Sequence, residues 1–232
     1  MPSPPPLPER PARRVGFVTI GQSPRDDVVP GMRPYLGAVE VLEAGALDGL
    51  DAAEIAALAP RDPDRVLVTR LRDGSSVKVD KELVLPRLAE CVVRLEAAGA
   101  AVIVLLCTGS FPPLASRALV LEPDRILRHV VLAVARSGSR IGVMVPAEDQ
   151  VNALRARWQT AGVDPVVAAA SPYGSRDARL EAARRLREAG AELVVLDCVG
   201  YTRAMKEDIA PIVNCPVLVA HEAVARVAGA WL

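Results

Sequence analysis

The sequence predicts an α/β protein of two pseudo-symmetric lobes with mainly parallel sheets and a β-hairpin insertion in the first lobe. Short runs rich in Val, Ile and Leu alternate with longer helical patterns, and most lack the apolar–polar alternation of half-exposed strands. One pattern also occurs twice. AGAAVIVLLCTG at 98–109 resembles AGAELVVLDCVG at 189–200, and RVGFVTI at 14–20 resembles RIGVMVP at 140–146. Strands that alternate with helices are typical of parallel sheets covered by helices.

The apolar runs and the helical patterns between them give the order of the elements. Two of the runs flank Asp73-Gly74, a turn signal that predicts the β-hairpin. The predicted strands are 14–20, 39–43, 65–71, 75–79, 101–107, 139–145, 165–169, 192–197 and 216–220. The predicted helices are 25–35, 51–59, 80–98, 123–136, 149–161, 176–189, 202–210 and 221–231.

The spacing of the repeat predicts where the two lobes lie. The matching segments are 126 residues apart at the first strand but 91 residues apart at the cysteine, so the first half contains the additional residues, including the hairpin. We therefore expect a first lobe at 14–120 and a second lobe at 121–220, with the C-terminal helix at 221–232 packing on the first lobe. The proline-rich residues 1–13 predict a disordered tail.

Charge and hydropathy exclude several classes of partner. Lys plus Arg and Asp plus Glu total 28 each, so the formal net charge is zero and no nucleic acid is expected as a partner. No apolar run approaches the roughly 18 residues that a membrane span needs, and the N-terminus lacks the apolar stretch of a secretory signal. We therefore expect a cytoplasmic protein that binds no membrane.

Cysteine and histidine usage predicts no metal and no other cofactor. The four cysteines form no C-x-x-C pair, and the two histidines lie far apart in the sequence. Cys91, on an apolar helix face, and Cys215, before Pro216, are interpreted as structural. His221 opens the last helix, either as an ordinary helix-start residue or as a group that orients a catalytic thiol.

Cys107 and Cys198 are the candidate catalytic residues. Each ends a predicted strand, and ligands of open α/β sheets bind outside the carboxyl ends of strands, so two facing lobes would place both thiols in one cleft. Racemisation needs a base on one face of a carbon acid and an acid on the other. Thiols with an ordinary pKa of about 8.5 can supply both near neutral pH after a modest shift. The alternative is that each cysteine is a small buried apolar residue.

The segments that follow the two cysteines are candidate substrate-binding segments. Backbone N–H groups at the start of a following helix can bind a carboxylate and lower the pKa of a thiol, and glycines let a substrate approach the backbone. The residues concerned are Thr108, Gly109 and Ser110 in the first half, and Gly200, Tyr201 and Thr202 in the second.

The stretch TIGQSPR at 19–25 is a third candidate segment. Ser23 and Pro24 predict a helix N-cap followed by the first helical residue. Gln22, Ser23 and Arg25 would lie at the carboxyl edge of the first strand, where an arginine can hold a carboxylate through two hydrogen bonds. The alternative for Arg25 is a surface ion pair with Asp26 or Asp27.

The segments VGFVTIGQSPRDDV, LRDGSSVKV, LEPDRIL, IGVMVPAEDQ and LDCVGYT together resemble the AroM family of bacterial proteins over about residues 14–232. More distantly, the two cysteine motifs resemble the Asp/Glu and hydantoin racemase superfamily. That resemblance implies Asp/Glu racemase-like lobes and cofactor-free catalysis by one cysteine from each lobe, here Cys107 and Cys198. The chain departs from the superfamily's usual D-S-G-type and C-N-T motifs, so aspartate or glutamate is not implied as its substrate.

These observations predict a cofactor-independent racemase or isomerase that acts on a small carboxylate-bearing substrate through a cysteine pair. A decarboxylase or a cis–trans isomerase with a single catalytic cysteine is one alternative. A non-catalytic metabolite-binding protein is the other. A homodimer is compatible with each of these functions.

Overall fold

The computed structural model describes residues 13–232, so all but the last residue of the predicted tail lies outside the described part of the chain. The fold contains two four-stranded sheets and one two-stranded hairpin. The strands are β1 (Arg14–Thr19), β2 (Glu40–Gly45), β3 (Val66–Arg70), β4 (Ser76–Asp80), β5 (Val102–Leu105), β6 (Leu119–Leu121), β7 (Ile141–Val145), β8 (Val166–Ala169), β9 (Leu193–Leu196) and β10 (Val217–Val219). The helices are α1 (Val29–Met32), α2 (Ala52–Ala57), α3 (Lys81–Ala97), α4 (Pro123–Val134), α5 (Val151–Gln159), α6 (Arg176–Glu188), α7 (Arg203–Val213) and α8 (Ala220–Gly229).

The two large sheets have the same topology. Their strand orders are β2-β1-β5-β6 and β8-β7-β9-β10, and every strand pair within them is parallel. β1 therefore corresponds to β7 and β5 to β9, as the sequence repeat predicts. The prediction of an α/β fold with two pseudo-symmetric, mainly parallel sheets is confirmed.

Equivalent residues of the repeat make equivalent contacts. Arg14 donates from Nη1 to the carbonyl oxygen of Ala98 over 2.9 Å. Arg140 donates from Nη1 to the carbonyl oxygen of Ala189 over 2.8 Å. In both halves the first strand is thus tied to the turn before the cysteine strand. The sequence repeat is therefore also a repeat of tertiary contacts.

A glycine in the first strand of each half lets a helix pack closely on the sheet. A Cβ atom at Gly16 would lie 3.2 Å from the Cβ atoms of Leu95 and Ala100. At Gly142 it would lie 2.9 Å from the Cβ of Ala191, which is closer than real Cβ atoms approach other atoms. Any side chain at Gly142 would therefore push α6 and the turn after it away from the sheet.

Both faces of each sheet are buried, which explains why the strands lack period-two alternation. In β1, Phe17 and Val18 contribute to separate apolar clusters, and each is almost completely buried. In β7, Val143 and Met144 are likewise divided between two clusters. Strands covered on both sides read as continuous apolar runs.

The predicted hairpin is confirmed, and it forms a small sheet of its own. β3 and β4 pair antiparallel, and their turn contains Gly74 with a φ of +87°. The hairpin also contacts the second half of the chain. Lys78 forms an ion pair with Asp149, and the Gln150 side chain donates to the carbonyl oxygen of Val66 over 3.1 Å. The insertion therefore connects the two halves of the fold.

The predicted helix at 25–35 is wrong in extent. Only α1 and a 3₁₀ turn at Arg33–Tyr35 form, because Pro30 and Pro34 lack the N–H groups that a continuous helix needs. The short edge strand β6 was not predicted, since three residues are too few for a clear pattern. It occupies the same place in the first sheet as β10 does in the second.

The C-terminal helix α8 packs against α1 and the adjoining 3₁₀ turn, and it also contacts α4 and β10. It thus touches elements of both halves, and the division at residue 120 stays a prediction. Among residues 13–232, no helix is both long and apolar enough to cross a membrane.

We predict that Gly142→Ala destabilises the fold, because its methyl group must enter space that Ala191 occupies. The loss should be about 1–3 kcal/mol in the free energy of unfolding, measured by urea denaturation. Gly174→Ala is the matched control, because a Cβ there meets nothing closer than 3.4 Å. Equal stability of the two variants would contradict the close packing of α6.

Candidate active site

Cys107 and Cys198 line the same cavity, which has a volume of about 380 Å³. Cys107 lies two residues beyond the end of β5, and Cys198 lies two residues beyond the end of β9. Because β5 and β9 are equivalent strands, the two cysteines occupy equivalent positions at the carboxyl edges of the two sheets. The volume suits a small metabolite, since ligand pockets usually measure roughly 300–1,000 Å³.

The backbone after each cysteine turns back on the thiol. The N–H of Gly109 donates to Sγ of Cys107 over 3.3 Å, and the N–H of Gly200 donates to Sγ of Cys198 over 3.5 Å. No helix begins at Thr108. The chain continues as a loop to β6, so in the first half a single loop N–H replaces the helix start that the sequence suggested.

Burial keeps both thiols protonated. It raises the pKa of Cys107 to about 11, and the Gly109 N–H and the positive charge of Arg157 offset only part of this effect. Burial and, to a smaller extent, the proximity of Cys107 together raise the pKa of Cys198 to about 12, although the Gly200 N–H opposes them. The expected mixture of thiol and thiolate near pH 7 is therefore not present in this site.

Arg25 lines the cavity, but its guanidinium group is already paired. Nε and Nη2 donate to the two carboxylate oxygens of Asp27 over 2.8 and 2.9 Å. Nη1 donates to Oγ1 of Thr19, and Nη2 also donates to the Tyr173 hydroxyl. Burial by itself would lower the pKa of Arg25, but the hydrogen bond to Asp27 and the nearby Tyr173 and Asp27 raise it above its usual value. Asp27 is the expected partner, although the pair is not on the surface.

Tyr173, in the loop after β8, is a cavity residue that the sequence analysis missed. Its hydroxyl oxygen accepts from Arg25 over 3.1 Å, which leaves the hydroxyl proton free to donate to a ligand. Burial raises the pKa of Tyr173 above its usual range, so the hydroxyl stays protonated. A Cβ at Gly200 would lie 2.5 Å from this hydroxyl oxygen, so only glycine at 200 allows this placement.

A buried ion cluster holds the two cysteine loops together. Arg157 of α5 donates from Nη2 to the carboxylate of Asp197 over 2.6 Å, and its Nε lies 3.1 Å from the carboxylate of Asp124. Arg157 also donates to the carbonyl oxygen of Thr108, and Oγ1 of Thr108 donates to the carbonyl oxygen of Asp197 over 3.1 Å. A hydrogen bond thus joins Thr108, directly after Cys107, to Asp197, directly before Cys198.

Of the predicted substrate-binding residues, Arg25, Thr108, Gly109 and Ser110 line this cavity, and the others do not. Gln22 accepts from the backbone N–H of Arg72 over 2.9 Å. Ser23 donates its hydroxyl to Asp48 instead of capping a helix, because α1 begins only at Val29.

The residues after Cys198 have structural contacts of their own. Gly200 follows the thiol closely but does not line the cavity, and Tyr201 is completely buried, with its hydroxyl donating to the carbonyl oxygen of Ala170. Thr202 caps α7 and lines a separate cavity of about 450 Å³, together with His221 and Glu222. Burial lowers the pKa of His221, which does not line the cavity of the two thiols.

Within residues 13–232, no group of three or more His, Cys, Asp or Glu side chains has an arrangement that could hold a metal ion. The chemical groups of the main cavity are instead thiols, a phenol, carboxylates, guanidinium groups and an ammonium group. These groups can bind an anion and can donate or accept protons.

Comparison with known families assigns the chain. The family model described as AroM protein matches residues 15–232. The chain belongs to the AroM family. Comparison of this AroM family chain with curated proteins gives no match.

Solved structures similar to this AroM family chain share its fold at low sequence identity. Allantoin racemase from Klebsiella pneumoniae matches with a TM-score of 0.64 and 15% identity, covering 94% of this chain and 87% of that chain. Glutamate racemase from Aquifex pyrophilus matches with a TM-score of 0.58 and 16% identity, covering 94% of this chain and 84% of that chain. An arylmalonate decarboxylase matches with a TM-score of 0.58 and 14% identity, covering 90% of this chain and 88% of that chain. These likenesses establish a racemase-type fold.

Two of the residues that the sequence analysis missed, Arg157 and Asp124, lack a local signal. Arg157 and Asp124 lie on helices whose remaining residues read as ordinary amphipathic surface. Asp197 had one available signal, because it is a charged residue in an otherwise apolar strand run directly before Cys198. A charge in such a run is costly to bury without a partner, which predicts a buried cation nearby.

We predict that the reactivity of Cys107 rises steeply with pH, because only the thiolate reacts and burial keeps the thiol protonated. Alkylation by iodoacetamide should increase about tenfold per pH unit up to about pH 11, measured by mass spectrometry of the Cys107 peptide. Free cysteine is the reference, and its rate levels off near its ordinary pKa. A plateau for Cys107 below pH 9 would contradict a raised pKa.

We predict that Arg157→Met is strongly destabilising, because Asp197 then keeps only the Trp158 side chain as a hydrogen-bond donor. Removing one partner of a buried ion pair costs about 3–5 kcal/mol in the free energy of unfolding. Arg155→Met is the matched control on the same helix, since Arg155 makes no ion pair within residues 13–232. Equal urea midpoints of the two variants would show that the cluster is not stabilising.

Proposed function

We propose that this AroM family chain is a cofactor-independent enzyme that transfers protons at a carbon atom next to a carboxylate, most simply as a racemase or a related isomerase. The observation that carries the proposal is that Cys107 and Cys198 border one cavity from equivalent positions of two pseudo-symmetric halves. A racemisation needs two groups that exchange protons from opposite sides, and a pseudo-symmetric pair of thiols supplies such groups.

The names of the structural neighbours support this class of chemistry. They include an allantoin racemase, a glutamate racemase and an arylmalonate decarboxylase. The low sequence identities carry over only the fold, so the proposal depends on this chain's own thiols.

The proposed step moves one proton onto the substrate and one proton off it. One cysteine, as the thiolate, takes the proton from the substrate carbon, and the electron pair of the broken C–H bond is delocalised into the adjacent carboxylate. The other cysteine, as the thiol, donates its proton to the opposite face of the same carbon. The first cysteine ends as a thiol and the second as a thiolate, and proton exchange with water restores the starting state.

Forming the thiolate is the costly part of this mechanism. With a pKa of about 11 for Cys107, ionisation at pH 7 costs about 5 kcal/mol. The positive charges of Arg157 and Arg25 already lower the pKa of Cys107, although less than burial raises it. We infer that the polar groups which the bound substrate fixes around the thiol contribute the remaining stabilisation.

The protonated state of both thiols favours decarboxylation as a second candidate reaction. In that reaction the bond between the carboxylate and its carbon breaks, carbon dioxide leaves, and the electron pair stays on the carbon. A single thiol then donates its proton to that carbon, and the resulting thiolate regains a proton from water. This route needs no thiolate at the start, so the protonated thiols can serve without a change of protonation.

Substitution of each cysteine distinguishes these reactions. We predict that Cys107→Ala and Cys198→Ala each abolish racemisation, because each removes the base for one direction and the acid for the other. The substrates to test are those that the neighbours' names give, namely allantoin, glutamate, aspartate and arylmalonate. Incorporation of deuterium from D2O at the reacting carbon is the measurement.

Cys215→Ala is the control for this experiment, since Cys215 is half-buried and does not line the cavity. Loss of activity in only one of the two cavity variants indicates the single-cysteine decarboxylase. Parent-like turnover in both variants contradicts any catalytic role for the thiols. Binding without turnover in the parent protein indicates a metabolite-binding protein instead.

A further inference from the structure

We propose that Lys81, at the end of the hairpin insertion, binds the carboxylate of the ligand in the cysteine cavity. This inference rests on the proposed function in one respect, because it concerns the same cavity and the same class of carboxylate ligand. It assigns the binding role to a different residue than the sequence analysis did, and to the segment that only the first half contains.

The insertion forms one wall of the cavity. Residues 63–68, which lead into the hairpin and form the start of β3, line it together with Lys81, the first residue of α3. A Cβ at Gly109 would lie 2.9 Å from Cδ2 of Leu67, so the Cys107 loop packs directly against this wall. The second half has no hairpin at the corresponding place, and the insertion therefore makes the cavity asymmetric.

Two arginines of the cavity, Arg25 and Arg157, are already paired. Arg25 is bound by both carboxylate oxygens of Asp27, and Arg157 is bound by Asp197 and Asp124. A ligand carboxylate would have to displace a buried protein carboxylate from either of them, which would leave that carboxylate without its partner. Neither arginine is therefore available as a simple anion receptor.

Lys81 is in a different situation. It is partly buried, it lines the cavity, and it makes no hydrogen bond or ion pair through its ammonium group within residues 13–232. The other cation on this wall, Arg65, lies 3.5 Å from Asp62 and is half exposed, with Asp64 beside it. Lys81 is thus the cation of the cavity wall for which the described residues provide no counter-ion.

The position of Lys81 on its helix adds to this effect. It is the first residue of a 17-residue helix, and the positive end of a helix dipole favours an anion near the N-terminus. Asp80 accepts from the backbone N–H of Glu82, so its carboxylate is engaged in capping the helix. A ligand carboxylate at Lys81 would therefore meet both the ammonium group and the helix end.

A pair of alkylating reagents tests the anchor without knowledge of the substrate. Iodoacetate and iodoacetamide react with thiols in the same way and have nearly the same size, but only iodoacetate has a carboxylate. The rate of each reagent is measured by mass spectrometry at Cys107, Cys198 and Cys215 of the same protein, at one pH near 9. Because Cys215 does not line the cavity, its ratio of rates is the internal reference.

The anchor predicts that the ratio of the iodoacetate rate to the iodoacetamide rate is raised about tenfold at the cavity cysteines relative to Cys215, because a fixed cation concentrates the anionic reagent. Lys81→Met should lower this ratio to the reference value, and a change in the thiolate fraction, which affects both reagents equally, cancels in the ratio. Lys81→Arg should keep a raised ratio. Lys206→Met, which removes the same charge away from the cavity, should have no effect.

The assignment is overturned if the ratio of the iodoacetate rate to the iodoacetamide rate at Cys107 is the same in the parent protein and in Lys81→Met.

Stabilisation by malonate is the second readout. The midpoint of thermal unfolding should rise with malonate concentration in the parent but not in Lys81→Met. If neither reagent nor malonate shows an effect that depends on Lys81, the anchor is elsewhere. Neither readout requires turnover, so a failure of the proposed reaction does not affect them, and a failure of the anchor does not exclude the reaction.

Discussion

The arrangement of the site depends on the contacts that the guanidinium group of Arg157 makes with both cysteine loops. It pairs with Asp197, which directly precedes Cys198, and it donates to the carbonyl oxygen of Thr108, which directly follows Cys107. A single side chain therefore fixes both cysteine loops against each other. Asp124 lies against the same group and is also paired with Arg128, so the cluster contains two arginines and two aspartates and its charges balance.

The same burial that assembles the site also determines its protonation. Burial raises the pKa of both thiols, which therefore retain their protons well above neutral pH. Hydrogen bonds fix the Tyr173 hydroxyl to Arg25 and fix Arg25 to Asp27. The site is thus organised before a ligand arrives, and such fixed polar groups stabilise a developing charge without the reorganisation that water would need. A ligand that completes the enclosure also changes the balance between thiol and thiolate.

A symmetric scaffold with an asymmetric insertion gives the cavity two equivalent cysteine positions and one wall that has no counterpart on the other side. The equivalent strands β5 and β9 present their cysteines in equivalent ways, so neither half by itself distinguishes one end of a ligand from the other. The hairpin removes this ambiguity, because it lines only one side of the cavity and contacts the second half through Lys78 and Gln150. Lys81, a cavity cation that makes no ion pair within residues 13–232, lies on this asymmetric wall.

Much of this architecture could be predicted from the sequence, because it depends on local patterns. Apolar runs, the Asp73-Gly74 turn and the repeated frame around Cys107 and Cys198 predict the parallel sheets, the hairpin and the pairing of the two halves. The stretch of helix expected at 25–35 and the strand β6 were not predicted correctly, since prolines and a three-residue edge strand leave no clear periodicity. Apart from the pair of Arg25 with Asp27, the choice of polar partners could not be predicted. Arg25 pairs with Asp27 and Tyr173, and Arg157 pairs with residues 33 and 40 positions away along the chain, because a buried charge is satisfied by whichever groups the packed fold brings near it. The sequence by itself determined the scaffold and the two thiols, whereas only the tertiary structure decided which charges are neutralised and that Lys81, which makes no ion pair within residues 13–232, lines the cavity.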